Sequence, residues 1–331
     1  MQHQGKSSVN FKLLAAGLWF LIGRYAVSYL VSSRKKQGRL RQIPPLSKQH
    51  IQCPSGNIWY AELDGPQHAQ PIVLIHGLQS TRLQWYYQQK ELRNKYKVVL
   101  LDLPGHGKSG TAISLSIPIM AADLNHILKQ LSINKPYLYG HSIGGMTLLN
   151  YCINYNNNHI KGVILQNCSY TDPMKTCLFP GFMQFIEKPL IVPYLHFVKR
   201  HSIAFSLLSR INFLSGLSIV FYRFLLFSGP QSAKELRQLC RVAALCPAYV
   251  SADGILSTLK QETAPLLHRI TAPCLVIGSE NDRIIRPQTA YSIGDAVQNG
   301  RISILAGGHL NLIEYAEEVN AVVNDFLRTT I

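Results

Sequence analysis

The chain has 331 residues, of which 47% are hydrophobic and 9% aromatic, a composition typical of a globular protein rather than a disordered one. This length suits one large α/β domain with an insertion. The formal net charge of +16 indicates an anionic partner, either nucleic acid or lipid. Because no basic helix or RNP-like strand is present, and basic residues adjoin the most apolar segments, we expect a lipid surface and no nucleic acid.

The seven cysteines are scattered without C-x-x-C spacing, and no metal-ligand spacing occurs elsewhere. Cys168 and Cys274 lie in apolar runs, where cysteine behaves as a small hydrophobic residue. The sequence therefore predicts reduced thiols and no metal site.

Residues 13–31 form an almost entirely apolar segment that Arg24 interrupts. One interpretation is a membrane anchor, whose length just reaches what a bilayer requires. Arg24 near mid-span would cost about 2.5–3.5 kcal/mol on insertion scales. The alternatives are a signal peptide cleaved near residue 28, which would export the protein, or an interfacial or buried helix.

A basic cluster at residues 34–41 follows this apolar segment and outweighs Lys6 and Lys12 before it. If the segment spans a bilayer, the positive-inside rule places the main body in the cytoplasm. We therefore expect a membrane-associated protein, single-pass or peripheral, that contacts the membrane through residues 13–31 and the basic flank at 34–41.

Apolar strand-like runs alternate with helical stretches through most of the remaining chain. A hairpin around Pro54-Ser55-Gly56 comes first. Unbroken apolar runs then begin near residues 72, 98, 137, 162, 274 and 302. Such runs are typical of strands covered on both faces, and their alternation with helices predicts a doubly wound, mainly parallel sheet.

Residues 170–267 break this alternation with a long, helical and strongly apolar stretch, which we interpret as an inserted lid. The predicted organisation is an anchor or signal-like helix with a basic linker (residues 1–45), a core (46–169 and 268–331) and the lid between the two core segments. Most apolar lid residues are expected to form the lid's own core, and the rest to line an acyl slot or touch membrane.

The central motif is Gly140-His141-Ser142-Ile143-Gly144, between a predicted strand and a predicted helix. It fits the nucleophile elbow, in which a strained turn exposes the serine and requires nearly side-chain-free neighbours. The pattern predicts Ser142 as the nucleophile.

A serine nucleophile needs a histidine base, and the histidine needs a carboxylate that fixes its tautomer. His309 follows the last predicted strand, and Asp282 follows the strand before it. We therefore predict His309 as the base and Asp282 as the acid. Glu280, which lies too close to the strand end, and Asp172 are the competing acids.

The tetrahedral intermediate requires two backbone N–H donors. Ile143, directly after the nucleophile, and Leu78, in the loop after His76-Gly77, are the predicted donors. His76 is expected to brace this loop rather than do chemistry, and Asp102 and His106 are expected to be structural.

Together these motifs resemble the α/β-hydrolase superfamily over residues 51–327. The resemblance rests on His76-Gly77, Asp102-x-Pro104-Gly105-His106-Gly107-x-Ser109, Gly140-His141-Ser142-x-Gly144-Gly145, Asp282 and Gly308-His309. It implies the α/β-hydrolase fold with no metal and no organic cofactor. Among the branches of this superfamily, the chain is most similar to the lid-bearing esterase, monoacylglycerol-lipase and carbon–carbon-bond-hydrolase branch. Ser142 departs from dehalogenases and epoxide hydrolases, which need aspartate there.

The expected function is therefore a serine hydrolase that cleaves a lipophilic carboxylic ester through an acyl-enzyme on Ser142. One alternative uses the same triad for acyl transfer, perhydrolysis or carbon–carbon cleavage. The other is a non-catalytic binding protein on the same scaffold, against which the intact triad argues.

Overall fold

A computed structural model describes the backbone of residues 4–33, 38–155 and 159–330, with side chains from residue 17 onward. Its centre is an eight-stranded sheet of order β1-β2-β4-β3-β5-β6-β7-β8. The strands are β1 Ser47–Gln52, β2 Ile58–Asp64, β3 Pro71–Ile75, β4 Lys97–Asp102, β5 Tyr137–His141, β6 Gly162–Gln166, β7 Cys274–Ser279 and β8 Gly300–Leu305. The pairs β1–β2 and β2–β4 are antiparallel, and all other pairs are parallel.

Both faces of the sheet are covered, which explains why its strands read as continuous apolar runs. In β3, Val73 and Ile75 face one apolar cluster, whereas Ile72 and Leu74 face the other. This alternation is the period of two that a pleated strand imposes. The helices that cover the sheet are α2 Tyr86–Leu92, α3 Ile117–Gln130, α4 Ile143–Asn154, α11 Gln288–Ala296, α12 Asn311–Glu314 and α13 Ala316–Thr329.

Six helices are inserted between β6 and β7, and we call them the lid. They are α5 Pro180–Ile186, α6 Val192–Arg200, α7 Ser202–Ser215, α8 Leu217–Leu226, α9 Ala233–Leu245 and α10 Ala248–Thr258. The expectation of a doubly wound, mainly parallel sheet with an inserted helical lid is confirmed. The predicted domain boundaries at residues 45, 169 and 267 stay a prediction.

The first helix, α1 Gln4–Val31, packs against α7, α8 and α9 of the lid. The Arg237 guanidinium on α9 donates to the Ser28 hydroxyl over 2.6 Å and lies over the Tyr25 ring. Arg223 on α8 donates to the Val31 carbonyl over 3.3 Å. The apolar N-terminal segment is thus joined to the lid.

Within the described residues, no single helix has both the length and the hydropathy of a membrane span. The part of α1 whose side chains are described, Gly17–Val31, is apolar but shorter than a span. Two consecutive helix pairs, α7 with α8 and α9 with α10, reach that hydropathy together but bend by 89° and 93°. The anchor and its orientation stay predictions, and Arg34, Lys35 and Lys36 of the basic flank lie outside the described residues.

Candidate active site

Ser142 lies at the turn between β5 and α4, with φ 53° and ψ −122°. A non-glycine residue with this backbone is strained, and the surrounding packing must hold it there. A β carbon on Gly144 would lie 2.3 Å from the Ile75 carbonyl oxygen, and one on Gly140 would lie 2.6 Å from the Gly145 nitrogen. Side chains at these two positions would therefore open the turn, which explains the G-x-S-x-G spacing.

Asp282 and His309 follow β7 and β8, and the structure brings their buried side chains together. The His309 Nδ1 lies 2.7 Å from Asp282 Oδ2. The other carboxylate oxygen, Oδ1, accepts from the backbone N–H groups of Ile284 and Ile285 at 2.8 and 2.9 Å. An ionised carboxylate can only accept, so Nδ1 carries the proton and Nε2 is left to act as a base.

The backbone of His309 is also fixed. Its carbonyl accepts from Asn167 Nδ2 at 3.0 Å and from His141 Nε2 at 2.8 Å. The His141 and His309 rings lie 4.8 Å apart. Burial lowers the pKa of His141 well below its usual range, with the neighbouring His309 adding to the shift, so His141 stays neutral while it holds the His309 backbone.

Ser142 and His309 occupy the same carboxyl edge of the sheet, where open α/β folds bind ligands. Among the hydrogen bonds of the described residues, none joins the Ser142 hydroxyl to the His309 imidazole. Such bonds are often long before a substrate is bound and tighten in the complex.

The loop after β3 lies beside Ser142, since a β carbon on Gly77 would be 3.3 Å from Ser142 Cβ. In the described part of the chain, the backbone N–H groups of Leu78 and Ile143 donate to no protein acceptor. The Ile143 N–H belongs to the first turn of α4, where helical N–H groups lack partners and the helix dipole is positive. Both N–H groups are therefore available to donate hydrogen bonds to a developing oxyanion.

His76 braces this loop, as expected. Its Nδ1 donates to the Gly77 carbonyl over 2.7 Å, and its Nε2 accepts from the Leu103 N–H at 3.0 Å. His106 acts in the same way, since its Nδ1 donates to the Pro104 carbonyl and its Nε2 accepts from the Gln79 N–H at 3.1 Å. Both imidazoles are neutral connectors between two loops.

Asp102 lies at the centre of a buried cluster of charged groups. Its carboxylate is buried and accepts from the backbone and the guanidinium of Arg82, each over 2.7 Å, and from the Lys108 N–H. Arg82 also pairs with the buried Glu62 at 2.8 Å. Since every charge in this cluster has an opposite partner, the cluster anchors the loop that begins at Ser80.

Two polar residues of this region were not singled out from the sequence. Asn167 and Gln79 both have positive φ, at 46° and 57°, and both hydrogen bond around the site. Asparagine is often found at positive φ, but glutamine is not. Of the two, only Asn167 after β6 is therefore a residue type that indicates such a conformation. Among the described residues, no group of three or more His, Cys, Asp or Glu side chains is arranged to hold a metal.

Residues 70–316 match a family model described as alpha/beta hydrolase fold. The chain therefore belongs to the α/β-hydrolase family. It is 35% identical over 103 residues to the sn-1-specific diacylglycerol lipase ABHD11 of Danio rerio, a match that covers 30% of this chain and 32% of that protein. The chain thus matches about a third of that relative's length.

Two solved structures share the fold. A thermophilic esterase from Thermogutta terrifontis superposes with a TM-score of 0.69 at 21% identity, covering 86% of this chain and 99% of the esterase. A bacterial membrane phospholipase A superposes with a TM-score of 0.68 at 19% identity, covering 100% of this chain and 99% of that one. The expectation of an α/β-hydrolase is confirmed.

The buried histidines of this site predict a pH-dependent stability. Burial lowers the pKa of His76 to about 4 and that of His106 to about 3, whereas an unfolded histidine titrates near 6.5. Below about pH 6.5 the unfolded chain binds protons that the folded chain does not. The contribution of these histidines to the free energy of unfolding should therefore be fully present above about pH 7.5. The free energy of unfolding should fall as the pH is lowered from 6.5 to 4, by about 2 kcal/mol per histidine at pH 5.

Urea unfolding at a series of pH values measures this dependence. The His106→Gln variant should lose part of the wild-type slope between pH 7 and 5, and His68→Gln controls for the loss of an exposed imidazole. If the free energy of unfolding of His106→Gln depends on pH as steeply as that of the wild type, the assignment of a neutral His106 is contradicted.

Proposed function

We propose that this α/β-hydrolase is a serine hydrolase that cleaves a lipophilic carboxylic ester through an acyl-enzyme on Ser142, at the surface of a membrane. The observation that carries the proposal is the 2.7 Å contact between His309 Nδ1 and Asp282 Oδ2 at the same sheet edge as the strained Ser142. This contact supplies an imidazole of fixed tautomer at the edge of the sheet where Ser142 lies in the nucleophile elbow.

In the proposed mechanism, His309 Nε2 takes the proton of the Ser142 hydroxyl as its oxygen attacks the ester carbonyl carbon. The negative charge that develops on the carbonyl oxygen is stabilised by the N–H groups of Leu78 and Ile143. The imidazolium, stabilised by Asp282, then gives its proton to the departing alkoxide. Water activated by the same imidazole hydrolyses the acyl-enzyme and restores Ser142.

The lipophilic substrate is inferred from the apolar lid. Large apolar side chains are exposed on four consecutive lid helices and on the π-helical stretch Glu187–Ile191 between α5 and α6. We call them the lid face: Phe182, Phe185, Leu190, Tyr194, Phe197, Ile203, Leu207, Leu208, Ile211, Leu217, Phe221 and Phe224. On α7, the residues 203, 207 and 211 recur at helical spacing, so they share one side. Groups of large exposed apolar side chains are typical of interaction sites.

The charge around the lid face favours anionic lipid. Residues 173–232 contain six Lys or Arg but only one acidic residue, Glu187, and the first acidic residue of the whole chain is Glu62. Helix α1, which packs on the lid, also exposes Leu18, Phe20 and Leu21. Apolar side chains among cations are typical of proteins that lie on anionic membranes.

The nucleophile is tested with a fluorophosphonate probe on purified protein. The wild type should be labelled and Ser142→Ala should not, because the probe requires an activated serine. Asp282→Asn should lower kcat by up to about 10⁴-fold because the imidazole loses its tautomer. The control is Glu280→Gln, an exposed carboxylate after the same strand, which should keep wild-type kcat.

Labelling that survives Ser142→Ala would overturn the site. A folded wild type that ignores the probe would instead favour a non-catalytic binding protein. Running the ester assay with a competing alcohol acceptor separates hydrolysis from acyl transfer, since a transferase yields the new ester.

The substrate class is tested with p-nitrophenyl esters of increasing acyl length. We expect kcat/KM to rise from acetate to medium or long chains, because each buried methylene contributes about 0.8 kcal/mol. A clear preference for acetate would contradict the lipophilic substrate while leaving the hydrolase intact.

Membrane association is tested by co-sedimentation with phosphatidylcholine vesicles, with and without phosphatidylserine. Replacing Phe185, Phe221 and Phe224 together by serine should weaken binding at least about tenfold, because burying one phenylalanine contributes about 1.5–3 kcal/mol. Added salt should also weaken binding to the anionic vesicles.

The matched control is Ile113→Ser, which removes an equally exposed apolar side chain outside the lid. Binding that the triple variant retains in full, or binding that does not depend on phosphatidylserine, would contradict the lid face as the docking surface for anionic lipid.

A further inference from the structure

We propose that Gln79 is a positioning residue for the oxyanion donor Leu78, and that lid residues Tyr222 and Ser251 hold Gln79 in place. The seating of the lid on the core then sets how well the oxyanion is stabilised. This inference rests on the proposed function, because Leu78 is a donor only if Ser142 attacks a carbonyl.

The backbone of Gln79 is fixed on the core side. Its φ of 57° is a strained conformation for glutamine, so its surroundings must hold it. Its N–H donates to His106 Nε2 over 3.1 Å, and the other nitrogen of that ring is bonded to the Pro104 carbonyl. The peptide group directly after Leu78 is therefore attached to the loop that follows β4.

The side chain of Gln79 is fixed on the lid side. Its Oε1 accepts from the Tyr222 hydroxyl on α8 at 2.6 Å, and its Nε2 donates to the Ser251 hydroxyl on α10 over 3.0 Å. Ser251 in turn donates to the Cys246 sulfur at 3.5 Å, which fixes the direction of its hydroxyl. One amide thus joins two lid helices to the loop that carries the oxyanion donor.

Helix α10 also touches Leu78 itself. Gly254 lies three residues after Ser251, on the same side of the helix, and a β carbon there would lie 2.4 Å from Leu78 Cδ1. Residues 78 and 79 are therefore held by neighbouring turns of a single lid helix. A shift of α10 moves the oxyanion donor through both its side chain and the next peptide.

Helix α8 connects the hydrogen bonds of Gln79 with Tyr222 and Ser251, which we call the clamp, to the lid face. Phe221 and Phe224 are exposed on α8, whereas Tyr222 points inward to Gln79 and packs against the buried cluster below the lid. The exposed phenylalanines are thus connected to Leu78 through helix α8, the hydrogen bond between Tyr222 and Gln79, and the peptide bond between residues 78 and 79. The lid acts on catalysis as well as covering the site.

The test measures kcat and KM for Tyr222→Phe and Ser251→Ala with a p-nitrophenyl ester. Deleting an oxyanion donor costs about 10²–10³ in kcat, so a displaced donor should cost about tenfold. KM should stay within about twofold, because interactions made only in the transition state change kcat alone. Ser218→Ala is the control, since its hydroxyl also lies on α8 but is buried without a partner among the described residues.

A double-mutant cycle separates the clamp from a general effect of the lid. In a Gln79→Met background, which removes the amide at nearly constant size, Tyr222→Phe should cause no further loss. Gln79→Gly replaces Gln79→Met if the latter fails to fold, because glycine accepts the positive φ. An independent tenfold loss in either background would overturn the proposal.

An unchanged kcat in Tyr222→Phe, or a raised KM at constant kcat, would also overturn it, the latter because it would make Tyr222 a substrate contact. The series is run on enzyme whose Ser142-dependent probe labelling is already established. Failure of the clamp therefore leaves the nucleophile in place, and failure of the labelling removes both.

Discussion

The strained turn at Ser142 is the constraint on which the site depends. It forces β5, α4 and the loop after β3 into contact, since Gly144 abuts the Ile75 carbonyl and Gly77 abuts Ser142. Because β7 and β8 lie parallel to β6, their carboxyl ends are at the same edge of the sheet, and this places Asp282 and His309 there. The hydrogen bonds from Asn167 and His141 to the His309 carbonyl then fix the backbone of His309 near this turn, and Asp282 fixes its imidazole.

Much of this arrangement could be predicted from the residues. The apolar run of β3 indicated a doubly covered strand, and the spacing around Ser142 predicted the strand, turn and helix that the structure contains. The order of Ser142, Asp282 and His309 predicted their meeting at one edge, although their catalytic roles remain proposals. Such features are local or follow from topology, so a sequence carries them.

Other features arise from long-range contacts that leave no local pattern. Gln79 meets partners 143 and 172 residues away, and its polar side chain after a strand resembles any loop residue. The lid as the partner of α1 was not predicted either, because an apolar segment followed by cations suggests a membrane, and a buried helix was one alternative without a named partner. The lid therefore makes two sets of contacts that no sequence pattern predicts, one with the N-terminal helix and one with the loop that carries Leu78.

The acyl-enzyme on Ser142 is tested most directly by a rapid-quench experiment with a long-chain p-nitrophenyl ester, followed by mass spectrometry. We expect a burst of one p-nitrophenol per active enzyme and an added acyl mass on the peptide that contains Ser142. An acyl mass on a different residue would contradict Ser142 as the nucleophile. So would full turnover without any covalent intermediate on a quench timescale that resolves the first cycle.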